Sequence, residues 1–201
     1  MHTLCCCCCC CCCNNTEYII THPSPIEFAN ILNRIIADVN EWFKNNLLSI
    51  NLDKTTYLQF WTKNSQKLDL NITLLNNQII NSTNTKFLGL TIEEMLSWKC
   101  HINQILSRLS SACYAIKVIT PLTSEDTFKL IYHSHVHSVI TYGIIFWGNS
   151  PHNNDIFKIQ KRIIRIMTKS RSRDSCRRFF QRLEILPLHS QYIFSALLLV
   201  I

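Results

Sequence analysis

The hydrophobic period of the chain changes once, near Trp98, and this change limits the fold more than any other feature. Before it, β-branched and aromatic residues gather in short runs separated by polar turns. After it, apolar residues recur at helical spacing: Ile102, Ile105, Leu106, Leu109, Ala112, Cys113 and Ile116 form one stripe, which predicts a helix ending before Pro121. Only 3 of the 201 residues are glycine, so few turns can take positive φ cheaply, and helices are favoured over a meander of hairpins.

The segment before the change is not purely β. "SPIEFANILNRIIADVNEWFKNNLL" places Ser24 as an N-cap, Pro25 at the first helical position and Glu27 three residues after the cap. With Phe28, Ile31, Leu32, Ile35, Val39 and Trp42 at helical spacing, it predicts a helix over 25–46. "LSINLDKTTYLQF" reads as strand broken by a turn at Asp53-Lys54, and strands continue to Ile92. A hairpin turn is expected at Asn76-Asn77, and Gly89 interrupts the last strand. Beyond Pro121, Ser124 caps a helix over 125–140 and "TYGIIFWGNSP" reads as a connection. Helices then follow over 152–169, over 174–183 and from His189. In the first of these, Ile156, Ile159, Ile163 and Ile166 share a side. The expected fold class is α+β, with a helix packed on antiparallel strands over 16–96 and an all-helical part over 97–201.

Charge is concentrated at one end. Ten basic residues lie between Lys158 and Arg182, with Asp174 the only acid among them, whereas the N-terminal part is nearly balanced. Lys158, Lys161, Arg162, Arg165 and Lys169 recur on one helix face, and Arg171, Arg173, Arg177 and Arg178 follow. Such a cluster fits a polyanionic partner, nucleic acid or acidic membrane; a solvated helix face is the plain alternative. No stretch reaches the ~18 apolar residues of a membrane span, and the N-terminus lacks the basic region and cleavage site of a signal peptide. An intracellular protein, nuclear or cytoplasmic, is expected.

Nine consecutive cysteines, Cys5 to Cys13, precede Asn14 and Asn15. Metal sites space their ligands so that side chains converge on one ion, and a homopolymer has no such spacing. The tract reads as a translated simple repeat, so residues 1–15 are expected to form a disordered low-complexity leader. Cys100, Cys113 and Cys176 make no disulfide framework. His133, His135 and His137 alternate; on a helix successive members fall ~200° apart and do not converge on a metal. Cys100-His101 could be a nucleophilic pair, but within a helical stripe it reads as packing. No P-loop, G-x-S-x-G or H-E-x-x-H motif occurs.

Five stretches in order carry a resemblance: "VNEWFKNNLLSINLDKTTYLQF", "TKFLGLTI" followed by "LSWKCHINQI", "VITYGIIFWG", "IQKRIIRIM" and "SCRRFFQRLEILPLHSQYI". Together, over 16–201, they resemble the reverse transcriptase of jockey-like non-LTR retrotransposons, from the end of the palm into the thumb. The resemblance implies that Ser24 to Asn46 is the palm helix and that Lys54 stands where the family has a lysine acting as general acid toward pyrophosphate. It implies that Phe87, Leu88 and Gly89 form the primer-grip hairpin and that the helices after Trp98 hold template–primer duplex. Without the family, Lys54 reads as an exposed turn lysine and Gly89 as a β-bulge. In the family, an aromatic-Ala-Asp-Asp-Thr turn precedes the palm helix, and its aspartates hold two Mg²⁺ ions. Thr16 matches the Thr, and Asn14 and Asn15 fall at the Asp-Asp position. A neutral amide lacks the anionic charge that a hard cation site needs. The chain is therefore expected to be a decayed or truncated RNA-directed DNA polymerase without its metal site and with no cofactor of its own. At most it would bind RNA–DNA or RNA duplex without sequence preference, and not membrane. A helical RNA-binding module, a membrane-surface or partner-helix protein and a pseudogene product without function remain the alternatives.

Overall fold

The computed structural model describes residues 2–8, 16–22, 24–62, 64, 67–75 and 77–200. The chain mixes helices with small sheets and divides into two compact units, Met1–Ser97 and Trp98–Ile201.

In the first unit, helix α1 (Pro25–Asn45) starts where its capping residues dictate. Ser24 is extended, and its hydroxyl accepts from the Glu27 N–H at 3.5 Å. The reciprocal half of the box is not made: the Glu27 carboxylate lies 3.2 Å from His22 Nε2 instead. The helix buries Phe28 and Leu32 against Ile20, Tyr57, Ile72, Leu74 and Ile79, and further along it buries Val39 and Phe43. Each fully buried side chain of this kind contributes ~2–3 kcal/mol. The expected stripe is corrected at its end. Trp42 is half exposed and meets the buried Phe43 edge-on at 5.3 Å, because the helix turns Phe43 rather than Trp42 toward the strands.

A four-stranded sheet runs in the order β2 (Thr16–His22), β1 (His2–Cys8), β3 (Thr56–Phe60), β6 (Ile80–Asn81). β1 is antiparallel to both neighbours, with Cys5 opposite Ile19 and Leu58, and β3 is parallel to β6. The expectation of a disordered leader is thus corrected over His2–Cys8. Cysteine behaves as a small hydrophobe, so a run of it can join a sheet without any motif announcing it. Cys9–Asn15 lies outside the described residues.

Asp53-Lys54 turns as expected, within a 3₁₀ turn over Leu52–Lys54. Strands β4 (Thr73–Leu74) and β5 (Asn77–Gln78) pair Leu74 with Asn77. The hairpin therefore turns one residue earlier than expected, with Leu75 at φ 51°; Asn76 lies outside the described residues. Strands β7 (Asn84–Phe87) and β8 (Leu90–Glu93) close around Leu88 and Gly89, at φ 44° and 79°. Two successive left-handed residues make a tight type I′ turn, so Gly89 reverses the chain rather than bulging a continuing strand.

In the second unit, α2 (Lys99–Ile119) buries Ile102, Ile105, Leu109, Cys113 and Ile116. A 3₁₀ turn at Thr120–Leu122 leads into α3 (Glu125–Ile131), capped by Ser124, then a π-helical segment (Tyr132–His137) and α4 (Ser138–Thr141). The "TYGIIFWGNSP" connection contains a short helix, α5 (Ile144–Trp147), which buries Trp147 and bonds its indole N–H to the Tyr142 carbonyl at 3.0 Å. Gly148 follows, and a Cβ there would meet the Ile144 carbonyl at 2.5 Å and the Tyr192 ring at 2.7 Å. Helices α6 (Asn153–Met167), α7 (Arg177–Leu183) and α8 (Leu188–Leu197) complete the unit.

Candidate nucleic-acid interface

Helix α6 buries Ile156, Gln160, Ile163, Ile164 and Met167. This stripe is rotated from the expected one: Ile159 and Ile166 are half-buried, and Gln160 takes a core position. The Gln160 amide explains the exception. Its N–H groups donate to the Tyr132 hydroxyl at 2.9 Å and the Leu186 carbonyl at 3.0 Å, and its oxygen accepts from the Leu188 N–H at 2.9 Å. A buried polar side chain satisfied on both ends locks α6 to the segments around it. Burial pushes the Tyr132 phenol up to about 12, against the Gln160 hydrogen bond that lowers it.

With that stripe inward, the basic residues face out, but they do not act alike. Lys158 is tied to Asp155 at 2.8 Å. Lys161 sits over the Phe157 ring, 4.5 Å from its centroid. Arg162, Arg165 and Lys169 line a groove of about 700 Å³, together with Lys117 and Thr120 from the end of α2 and its following turn. A second cavity of about 250 Å³ shares Lys117 and Arg162 and adds Ser110, Cys113, Tyr114 and Ile159. Arg165 is steadied by a hydrogen bond from its Nε to the Asp174 carbonyl at 3.1 Å. Among the described residues, Lys117, Arg162 and Lys169 form no ion pair. Four cations therefore converge on a groove whose walls are otherwise apolar or hydroxyl-bearing. The positive potential also reaches inward: burial raises the Cys113 thiol, while Arg162 and Lys117 pull it down.

The rest of the expected cluster is dispersed. Arg171 and Arg173 are exposed on the loop after α6, where the Arg171 N–H donates to the Asp174 carboxylate at 3.0 Å. Arg177 lines a separate hollow with Phe180, Gln181 and Pro187. Arg178 stacks over Phe179 at 5.0 Å, and Arg182 pairs with Glu125 at 3.2 Å. Lys117 and Tyr114 were missed because they stand on α2, some 45 positions before their partners on α6; no local pattern links them. The other expected site residues lie in the first unit. Lys54 is exposed on its 3₁₀ turn, and Leu88 is 70% exposed at the tip of the β7–β8 hairpin, between half-buried Phe87 and exposed Gly89. Asn14 and Asn15 lie outside the described residues.

The three histidines divide between two sides of the helix. His133 and His137 share a face of the π segment, with ring centroids 5.0 Å apart, while His135 points elsewhere, into a groove toward α2. Burial and His133 lower the His137 pKa. His101 is buried, and that burial lowers its pKa. No group of three His, Cys, Asp or Glu side chains able to hold a metal ion occurs among the described residues. Among the described residues, no helix is long and apolar enough to cross a membrane.

No protein-family model, curated protein or solved structure matches the chain.

Proposed function

We propose that this chain is the palm-and-thumb part of an RNA-directed DNA polymerase of the jockey-like non-LTR type, and that it binds template–primer nucleic acid without catalysing extension. The groove between α2 and α6 carries the reading: Lys117, Arg162, Arg165 and Lys169 converge there, and among the described residues none of the four pairs with a carboxylate. Cations so placed neutralise phosphates and give affinity independent of base sequence. The α1-on-sheet unit, the tight hairpin at Leu88-Gly89 and the helical unit follow in the order the resemblance implies. The Mg²⁺ ions of the family do not fit this chain at Asn14 and Asn15, since neutral amides supply no anionic charge to a hard cation. Binding, and not phosphoryl transfer, is the activity assigned, with an intracellular site of action and no membrane partner.

Fluorescence anisotropy with a labelled RNA–DNA hybrid tests this. Replacing Lys117, Arg162, Arg165 and Lys169 with Gln should weaken binding to every sequence about equally, while Arg177→Gln with Arg178→Gln should change it little. Equal losses from both sets would sink the groove as the site.

A second reading, a stand-alone helical RNA-binding module, is favoured by one observation: all the groove residues lie in the second unit. Equal affinity for double-stranded RNA and the hybrid, unaffected by replacing Leu88, would favour that reading.

A further inference from the structure

The opposite edge of α2 carries a second groove of about 520 Å³, within the size range of small-molecule sites. One wall is Arg108, Ser111, Ala112, Ala115, Ile116 and Ile119 of α2; the other comes from α3, the π segment and α4. At ~100° per residue, Ala115 and Ile119 lie on the side of α2 away from Lys117, so the two grooves flank the buried stripe without sharing a residue.

Its lining is graded. The 3₁₀ turn joins α2 to α3 close to Ile119, and Ile131, at the end of α3, adds an apolar side chain to the other wall. Arg108 lies eleven residues back along α2, about 16 Å away. Ser111, Ser134 and Ser138 line the walls, and each hydroxyl donates to the carbonyl four residues before it. Arg108 is exposed, His135 adds a ring N–H donor, and no carboxylate lines the groove. The π-helical segment widens one wall where His135 and Ser134 stand; such bulges recur at functional sites.

We propose that this groove binds a small amphipathic anion, a carboxylate or phosphate head held at Arg108 and His135 with an apolar body lying along Ala112, Ala115 and Ile116 toward Ile119 and Ile131. A guanidinium offers two parallel N–H donors to either head. The small side chains Ala112 and Ala115 leave room for the body between the helices. The proposal does not depend on the nucleic-acid reading.

Isothermal titration of the full chain with decanoate, decyl phosphate, decanol and decyltrimethylammonium, each below its micellar concentration, tests it. Both anions should bind at a single site, about tenfold or more tightly than the alcohol or the cation. The ratio of the two anions identifies the head. Arg108→Gln should abolish the advantage over decanol, and Ala115→Phe should block every ligand, with helicity by circular dichroism unchanged in both. Lys117→Gln should leave decanoate binding as it is. No binding, equal affinity for anion and alcohol, or indifference to both Arg108→Gln and Ala115→Phe would overturn the proposal.

Discussion

Both N–H groups and the carbonyl of the Gln160 amide are engaged in a buried setting, with Tyr132 and the Leu186–Leu188 backbone as partners. Gln160→Leu fills the same space but strands the Leu188 N–H and the Leu186 carbonyl, at a cost of about 2–3 kcal/mol. Urea denaturation should show this loss; an unchanged midpoint would mean that water satisfies those groups. Tyr132 gives the same network a pH signature. Its folded pKa is raised, so the folded state holds its proton more tightly than the unfolded state. Stability is therefore fully present below the unfolded value near 10 and falls as pH rises toward 12. A rise of that size corresponds to roughly 2–3 kcal/mol. Tyr132→Phe should flatten the alkaline limb of the stability profile, and a profile unchanged by that substitution would contradict the account.

At the scale of elements, the β7–β8 hairpin holds an unfavourable residue. A type I′ turn favours Asn-Gly, yet the first position is Leu88, at φ 44°. Leu88→Asn should raise stability by some tenths of a kcal/mol up to about 1, seen as a higher melting temperature. A lower one would show that exposed Leu88 packs more than its position suggests. Legibility in the sequence followed the same physical lines. Helices α1 and α2 were readable because caps and a 3.6-residue stripe are local signals. The face of α6 was misread by a fraction of a turn, since a satisfied glutamine in the core leaves no hydrophobic mark. Strand β1 was unreadable for a different reason: in a run of identical cysteines no period exists, and a register slip replaces each residue with its equal. The groove was half legible. Its α6 side stood out as a charge run, whereas Lys117 and Tyr114 enter only through helix packing.

At the scale of the whole chain, the two units carry different burdens. Basic residues gather in the second, and the first holds α1 on its sheet, where the resemblance implies the polymerase palm. Primer extension on an RNA template with Mg²⁺ should match a no-protein control, and should remain there after Asn14→Asp with Asn15→Asp. Two carboxylates alone do not complete a two-metal site, whose contribution is several kcal/mol of transition-state stabilisation. Extension by either protein would refute that expectation. The central claim, that four cations between α2 and α6 grip phosphates, is tested most directly by the salt dependence of hybrid binding. If all four engage, log K should fall against log salt with a slope of roughly −3 to −4. Replacing Lys117, Arg162, Arg165 and Lys169 with Gln should bring that slope near zero while circular dichroism keeps its helical signal. A salt-independent affinity in the parent, or an unchanged slope in the folded variant, would contradict the claim.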